Sequence, residues 1–201
     1  MTHLPYLEAM ITLTKDEMLR KWMLLTRSEP LLKGCTVSRS YGIDIEALCA
    51  DEMRLWYINL LRTAEEGMVP VTDIAAKVQL TVDAVSGHPV VTLPVNCIRA
   101  LSVTLAGWER PAPVIGPDTR TARMQVNPFA CGGVCRPVAV LRPGGREIEL
   151  FSAPTDPSSA RIASLQAVMD PGDDTYTFSE DAIATIKEIF RQPAAQAGLE
   201  W

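Results

Sequence analysis

At Ala76 the hydrophobic period of this chain changes from 3.6 residues to 2, so helix formation is confined to what precedes that point and to the far end. Before it, Thr14-Lys15-Asp16-Glu17 reads as a capping box, with Glu17 placed to reach back to the Thr14 amide. A helix of about 13 residues is expected to follow, typical of a globular domain. Leu19, Trp22 and Met23 form its apolar face, flanked by Met18 and Leu25, and Glu29-Pro30 ends it. Asp44 is the expected N-cap of a second helix over 45–64. On that helix Ile45, Leu48, Cys49, Glu52, Leu55, Trp56 and Asn59 share a side, and Met53, Tyr57, Leu60 and Leu61 widen the stripe. A stripe so wide implies more than one neighbour, and the Trp22 and Trp56 faces are expected to pack on each other.

Beyond Ala76, Val78, Leu80 and Val82 alternate with polar residues, as in a half-buried strand. Further strands are expected at 89–93, around Leu101, Val103 and Leu105, and at 160–169. Val138–Leu141 and Glu147–Phe151 flank Arg-Pro-Gly-Gly-Arg and read as a hairpin. Antiparallel order is expected, since no helix is evident between the strands to make a parallel crossover. Residues 109–137, with five prolines and three glycines, read as a long loop of the kind that meets partners. Ser179 is the expected cap of a last helix buried through Ile183, Ile186, Ile189 and Phe190 and stopped at Gln192-Pro193. Residues 192–201 then read as an extended arm ending in Trp201.

These elements predict an α+β chain: N-terminal helices and a C-terminal helix packed as a small bundle, with an inserted, mainly antiparallel sheet region. The expected parts of one composite domain are 1–75 (helical), 76–175 (β-rich, with the 109–137 loop) and 176–201 (helix and arm). A length of 201 residues suits that organisation. No apolar run approaches the roughly 18 residues needed to span a bilayer. Met1–Pro5 has neither a basic nor an apolar leader segment, so the chain is expected to be intracellular when made.

Net charge is −5, which disfavours a free-standing nucleic-acid binder. The charge is uneven. Residues 1–75 carry 8 basic and 11 acidic groups, whereas 99–146 carry seven arginines, no lysine and only Glu109 and Asp118. Arginine suits bidentate contact with carboxylates at interfaces. The five cysteines, odd in number, argue against a disulfide framework. Cys131 and Cys135 make half a zinc site, but His3 and His88 supply no partner at ligand spacing, so neither metal nor cofactor is expected. The roles of nucleophile, base and acid go unfilled, and no enzyme is expected.

The run Glu147–Pro157, then 162–169, Asp170-Pro171 and Tyr176-Thr177-Phe178-Ser179 into a helix, resembles the C-terminal half of tailed-bacteriophage head–tail adaptor (connector, or neck) proteins. The apolar-aromatic run Leu55–Leu61, Val69-Pro70-Val71 and Leu93-Pro94 before Cys97–Val103 are similar in style, so the likeness spans about 45–191. The resemblance implies a virion structural protein: a homo-oligomeric ring, commonly of twelve copies, under the portal protein. Such a ring extends the DNA channel and offers a platform to other neck or tail proteins. Packaged DNA would pass without sequence-specific binding, and no membrane is involved. The implied location is the virion neck, after synthesis in the host bacterial cytoplasm. The alternative is a monomeric β-rich module that binds a protein or carbohydrate partner. For the adaptor the expected contact residues are Trp108, Arg120, Arg123, Phe129 and Arg136 around the loop, with Trp201 on the arm; for the module they are Trp108 and Phe129.

Overall fold

A computed structural model describes residues 10–26, 44–127, 129, 132–152 and 160–191; the side chains of Ile45 and of residues 187–191 lie outside that description. The chain forms two compact units that divide at Pro70/Val71 and Asp170/Pro171, so the second is inserted into the first.

The first unit opens with strand β1 (Met10–Thr14), which leads into helix α1 (Lys15–Thr26). The capping box is present: the Thr14 amide donates to Glu17 Oε2 at 2.9 Å, and the Glu17 amide donates to Thr14 Oγ1 at 3.4 Å. Donation from the Thr14 amide and from the Thr14 hydroxyl, 2.9 Å from Oε2, holds the Glu17 carboxyl below the usual range. Helix α2 (Ile45–Thr63) starts at Asp44, whose carboxylate accepts from the Glu46 and Ala47 amides at 3.0 and 3.1 Å. The unit closes with strand β10 (Thr175–Ser179) and helix α4 (Ala182–Arg191). β10 pairs antiparallel with β1, Thr12 opposite Thr177.

Aromatic rings fill this unit. Trp22 meets Trp56 at 5.8 Å between centroids, Trp56 meets Phe178 edge-on at 5.6 Å, and Tyr57 meets Tyr176 at 4.8 Å. Trp56 Nε1 donates to Thr185 Oγ1 of α4 at 3.2 Å. The Tyr57 hydroxyl donates to the Thr177 carbonyl at 3.2 Å and accepts from the Thr177 amide at 3.1 Å. Thr177 therefore points its peptide groups away from β1, which makes Thr12–Thr177 a non-hydrogen-bonded pair. Such pairs bring side chains closest, and the two threonine hydroxyls lie 3.0 Å apart. Tyr57→Phe should leave both Thr177 peptide groups without their partner. A loss of about 1–3 kcal/mol is expected, the cost of orphaned buried polar groups. Urea titration checks it, and an unchanged midpoint would show that water replaces the hydroxyl.

The second unit is one eight-stranded sheet. Its strands are β2 (Thr72–Asp73), β3 (Gln79–Val82), β4 (Pro89–Thr92), β5 (Cys97–Leu105), β6 (Ala112–Ile115), β7 (Val138–Leu141), β8 (Glu147–Phe151) and β9 (Ile162–Met169). Their spatial order is β2-β9-β5-β6-β7-β8-β4-β3. Ile74, Val91, Val103, Leu105, Ile148, Leu150 and Leu165, drawn from both halves of the sheet, meet in a single core. The sheet must curl to bring them together. Its two outermost strands, β2 and β3, are joined by residues 74–78 alone. A link that short holds the edges within about 18 Å at full stretch.

This architecture corrects the expected small helical bundle with an inserted sheet. The protein is mostly β, with four short α-helices among the described residues. The sheet has a core of its own, and Tyr176–Ser179, read as the approach to a helix, lies in a strand paired with residues 10–14. Ser179 is likewise not a helix cap: it ends β10, is fully buried, and its hydroxyl has no hydrogen-bond partner among the described residues. The helix begins instead as Ile183 and Ala184 donate to the carbonyls of Glu180 and Asp181. The buried stripe of α2 is Cys49, Met53, Trp56, Tyr57, Leu60 and Leu61, whereas Leu48 and Leu55 are 45% and 71% exposed. No helix among the described residues is long and apolar enough to cross a membrane. The expected ends at Glu29-Pro30 and Pro193 lie outside the described residues.

Candidate assembly surface

β6 and β7 run parallel, Val114 opposite Ala139 and Ile115 opposite Val140. It is a parallel pair in a sheet expected to be mainly antiparallel, and it has a direct consequence. Parallel neighbours need a crossover rather than a turn, so residues 116–137 must leave the sheet and return. The segment read as an unstructured loop over 109–137 thus holds strand β6 and a short helix, α3 (Arg120–Met124). Thr119 caps α3, accepting from the Ala122 amide at 3.2 Å, and its hydroxyl donates to the Gly116 carbonyl at 2.9 Å.

The crossover is anchored from its inner side. Gln125, buried, donates through Nε2 to the Thr121 carbonyl at 3.0 Å and accepts at Oε1 from the Gly132 amide at 2.9 Å. The Gly132 carbonyl in turn accepts from the Ser152 hydroxyl. Ser152 has φ +73°, a left-handed backbone that costs about 1–2 kcal/mol for a residue with a Cβ. That turn aims its carbonyl at Trp108 Nε1, 3.1 Å away. Cys135 Sγ donates to Glu109 Oε1 at 3.3 Å, and this bond pushes the thiol pKa up. Gln125, Gly132, Ser152 and Trp108 are thereby occupied with one another, while the Cys135–Glu109 pair is exposed.

The outer side carries a different population. Arg120, Arg123 and Arg136 are exposed. Between and beside them Met124 is 43% exposed, Val126 86% and Phe129 100%. Apolar side chains standing in water among cations mark an interaction surface when they cluster. Of the expected contact residues, the crossover therefore presents Arg120, Arg123, Phe129 and Arg136. Trp108 is a correction. It is 8% exposed and belongs to the core of the second unit, because the tight turn at Gly107 (φ +92°) folds it back under the crossover. Trp201 and the arm over 192–201 lie outside the described residues.

The seven arginines of 99–146 are not equivalent. Arg142 lies beside three carboxylates: Nη2 contacts Asp83, and Nη1 and Nε reach Glu147 and Glu149 at 3.3 Å each. The Val85 amide and Arg142 hold Asp83 below the usual carboxylate range. Arg146 donates to the carbonyls of Pro94 and Val95 at 3.1 and 2.8 Å. These two arginines fasten turns within the sheet. The register of the β7–β8 hairpin was the sequence signal for the first, since it sets Arg142 beside Glu147. Glu147 and Glu149 are its partners, with Asp83.

A second polar cluster lies in the first unit. Asp173 accepts from Lys15 and, at 2.5 Å, from the Tyr176 hydroxyl, and both lower its pKa. Burial first and Asp173 second raise that of Tyr176. Arg54 Nη1 donates to the Gly172 carbonyl at 2.7 Å. This arrangement fastens the turn before β10 to α1 and α2. Among the described residues no three His, Cys, Asp or Glu side chains gather as metal ligands would. Comparison with known protein families, curated proteins and solved structures finds no match to the chain.

Proposed function

We propose that this chain is a virion structural protein of a tailed bacteriophage, an adaptor that forms a ring under the portal and offers the tail a platform. The observation that carries the reading is the β6–β7 crossover, a segment tied down through Gln125, Gly132 and Ser152 that leaves Arg120, Arg123, Arg136 and Phe129 exposed. Its anchoring is that of a contact surface held ready for a partner. The order of segments resembling adaptor proteins supplies the biological setting. Each exposed ion pair is worth only about 0–1 kcal/mol, so the contact needs an apolar anchor and repetition around a ring.

Arg120→Ser/Arg123→Ser/Arg136→Ser should weaken ring formation or binding to the portal protein of the same phage at low ionic strength, while leaving the melting temperature of the isolated chain nearly unchanged. Electron micrographs of the mixture and a melting curve read the two effects. A triple variant that docks as well as the parent would leave the arginines as a merely solvated face.

The curled β unit favours a second reading, a monomeric binding module with Phe129 as its contact aromatic. Sedimentation separates the two: a monomer at every concentration that ignores the portal is a module.

A further inference from the structure

We propose that the partner of the crossover is a second copy of this chain, and that the part it grips is the outer face of α2. This rests on the crossover being an assembly surface. On α2, residues 48, 51, 52 and 55 fall along one side, because steps of three, four and seven residues return to the same face of a helix. Leu48 and Leu55 are exposed there, with Asp51 and Glu52 alongside them. The Asp51 and Glu52 carboxylates have no ion-pair partner among the described residues.

The two surfaces are complementary in both respects that matter. One carries three exposed arginines and an exposed aromatic ring within residues 120–136; the other has two anions between exposed leucines on one helix face. Like surfaces repel, so neither patch suits a symmetric contact with itself. A contact between unlike patches is heterologous, and heterologous contacts repeat head to tail until they close a ring or run on as a filament. Arginine forks suit carboxylates bidentately, and Phe129 between Leu48 and Leu55 would supply the desolvated centre that rim charges need.

Charge reversal tests the pairing. Arg120→Glu/Arg123→Glu/Arg136→Glu makes both patches acidic; Asp51→Lys/Glu52→Lys makes both basic. Each variant alone should self-associate at least about tenfold more weakly at low ionic strength, as like charges juxtaposed at an interface do. An equimolar mixture of the two, and a single chain carrying all five changes, should regain association by sedimentation velocity. Recovery in the five-fold variant also shows that the substitutions have not unfolded the chain. Failure of both the mixture and the five-fold variant to recover, with circular dichroism unchanged, overturns the pairing. So does undiminished association of the α2 variant. In that second case, if the crossover variant alone loses portal binding, the connector reading stands without this contact. Self-association that follows the charge pattern, with no binding to the portal, would keep the contact and sink the connector reading.

Discussion

Trp108→Ala is expected to destabilise the second unit by about 3–5 kcal/mol, the usual cost of emptying a large aromatic from a core. The side chain packs among residues of β4 to β9 and its Nε1 holds the Ser152 carbonyl, so truncation opens a cavity and frees a buried acceptor together. Trp108→Phe keeps most of the volume and loses the hydrogen bond, and should cost about 1 kcal/mol. Thermal melting followed by far-ultraviolet circular dichroism separates the pair. A surface anchor would behave in the opposite way: alanine would leave the melt alone and abolish partner binding. Finding that pattern would place the ring outside the core.

Gly132→Ala should also destabilise the second unit, for a different reason. A Cβ there would collide with the Arg136 carbonyl oxygen and would lie 3.0 Å from Ser152 Oγ and 3.2 Å from Val138 Cγ2. The first obstacle is backbone and cannot swing aside. Overpacking of this kind costs about 1–3 kcal/mol. It also forces the 132–136 segment away from Gln125, so self-association should fall with stability. Gly133→Ala is the internal control, since a Cβ at the next position meets nothing within 4 Å. Equal melting temperatures for the two alanine variants would mean that the crossover carries no tight packing at Gly132.

The parts of this fold legible in the sequence are those decided by neighbours along the chain. Thr14, Glu17 and Asp44 announce helix starts because a cap needs only the next three residues. The β7–β8 hairpin is legible because its turn demands two left-handed residues, and Gly144 and Gly145 supply them at φ +102° and +70°. What escapes is what distant segments decide. The pairing of β1 with β10 joins residues 165 apart, and nothing in Ile11-Thr12-Leu13 identifies Thr177 as a partner. α3, at five residues, is too short to show a period, although Asp118-Thr119 carries its cap. Without that helix the parallel β6–β7 pair could not be anticipated. Leu48 and Leu55 read as core because α2 is apolar over so wide an arc, and only packing decides which part meets water. A tryptophan after a turn glycine reads equally well as an anchor or as core, and only packing against distant strands puts Trp108 in the core.

The inserted unit also governs the order in which the molecule can form. The chain enters it through β2 and leaves it through β9, and these are hydrogen-bonded neighbours, Thr72 opposite Ala167. Once the sheet has folded, its two ends are clamped side by side, and the long excursion between β1 and β10 is short-circuited. The loop that must close for Thr12 to meet Thr177 falls from 165 residues to under half that length. The entropy saved is modest, about 0.8 kcal/mol by logarithmic scaling, but it acts on the rate as well as the equilibrium. A nascent chain exposes Trp22, Trp56 and Tyr57 long before Phe178 and Tyr176 have been synthesised. During that interval half of the aromatic cluster waits for the other half, and the sheet is the piece that can finish first.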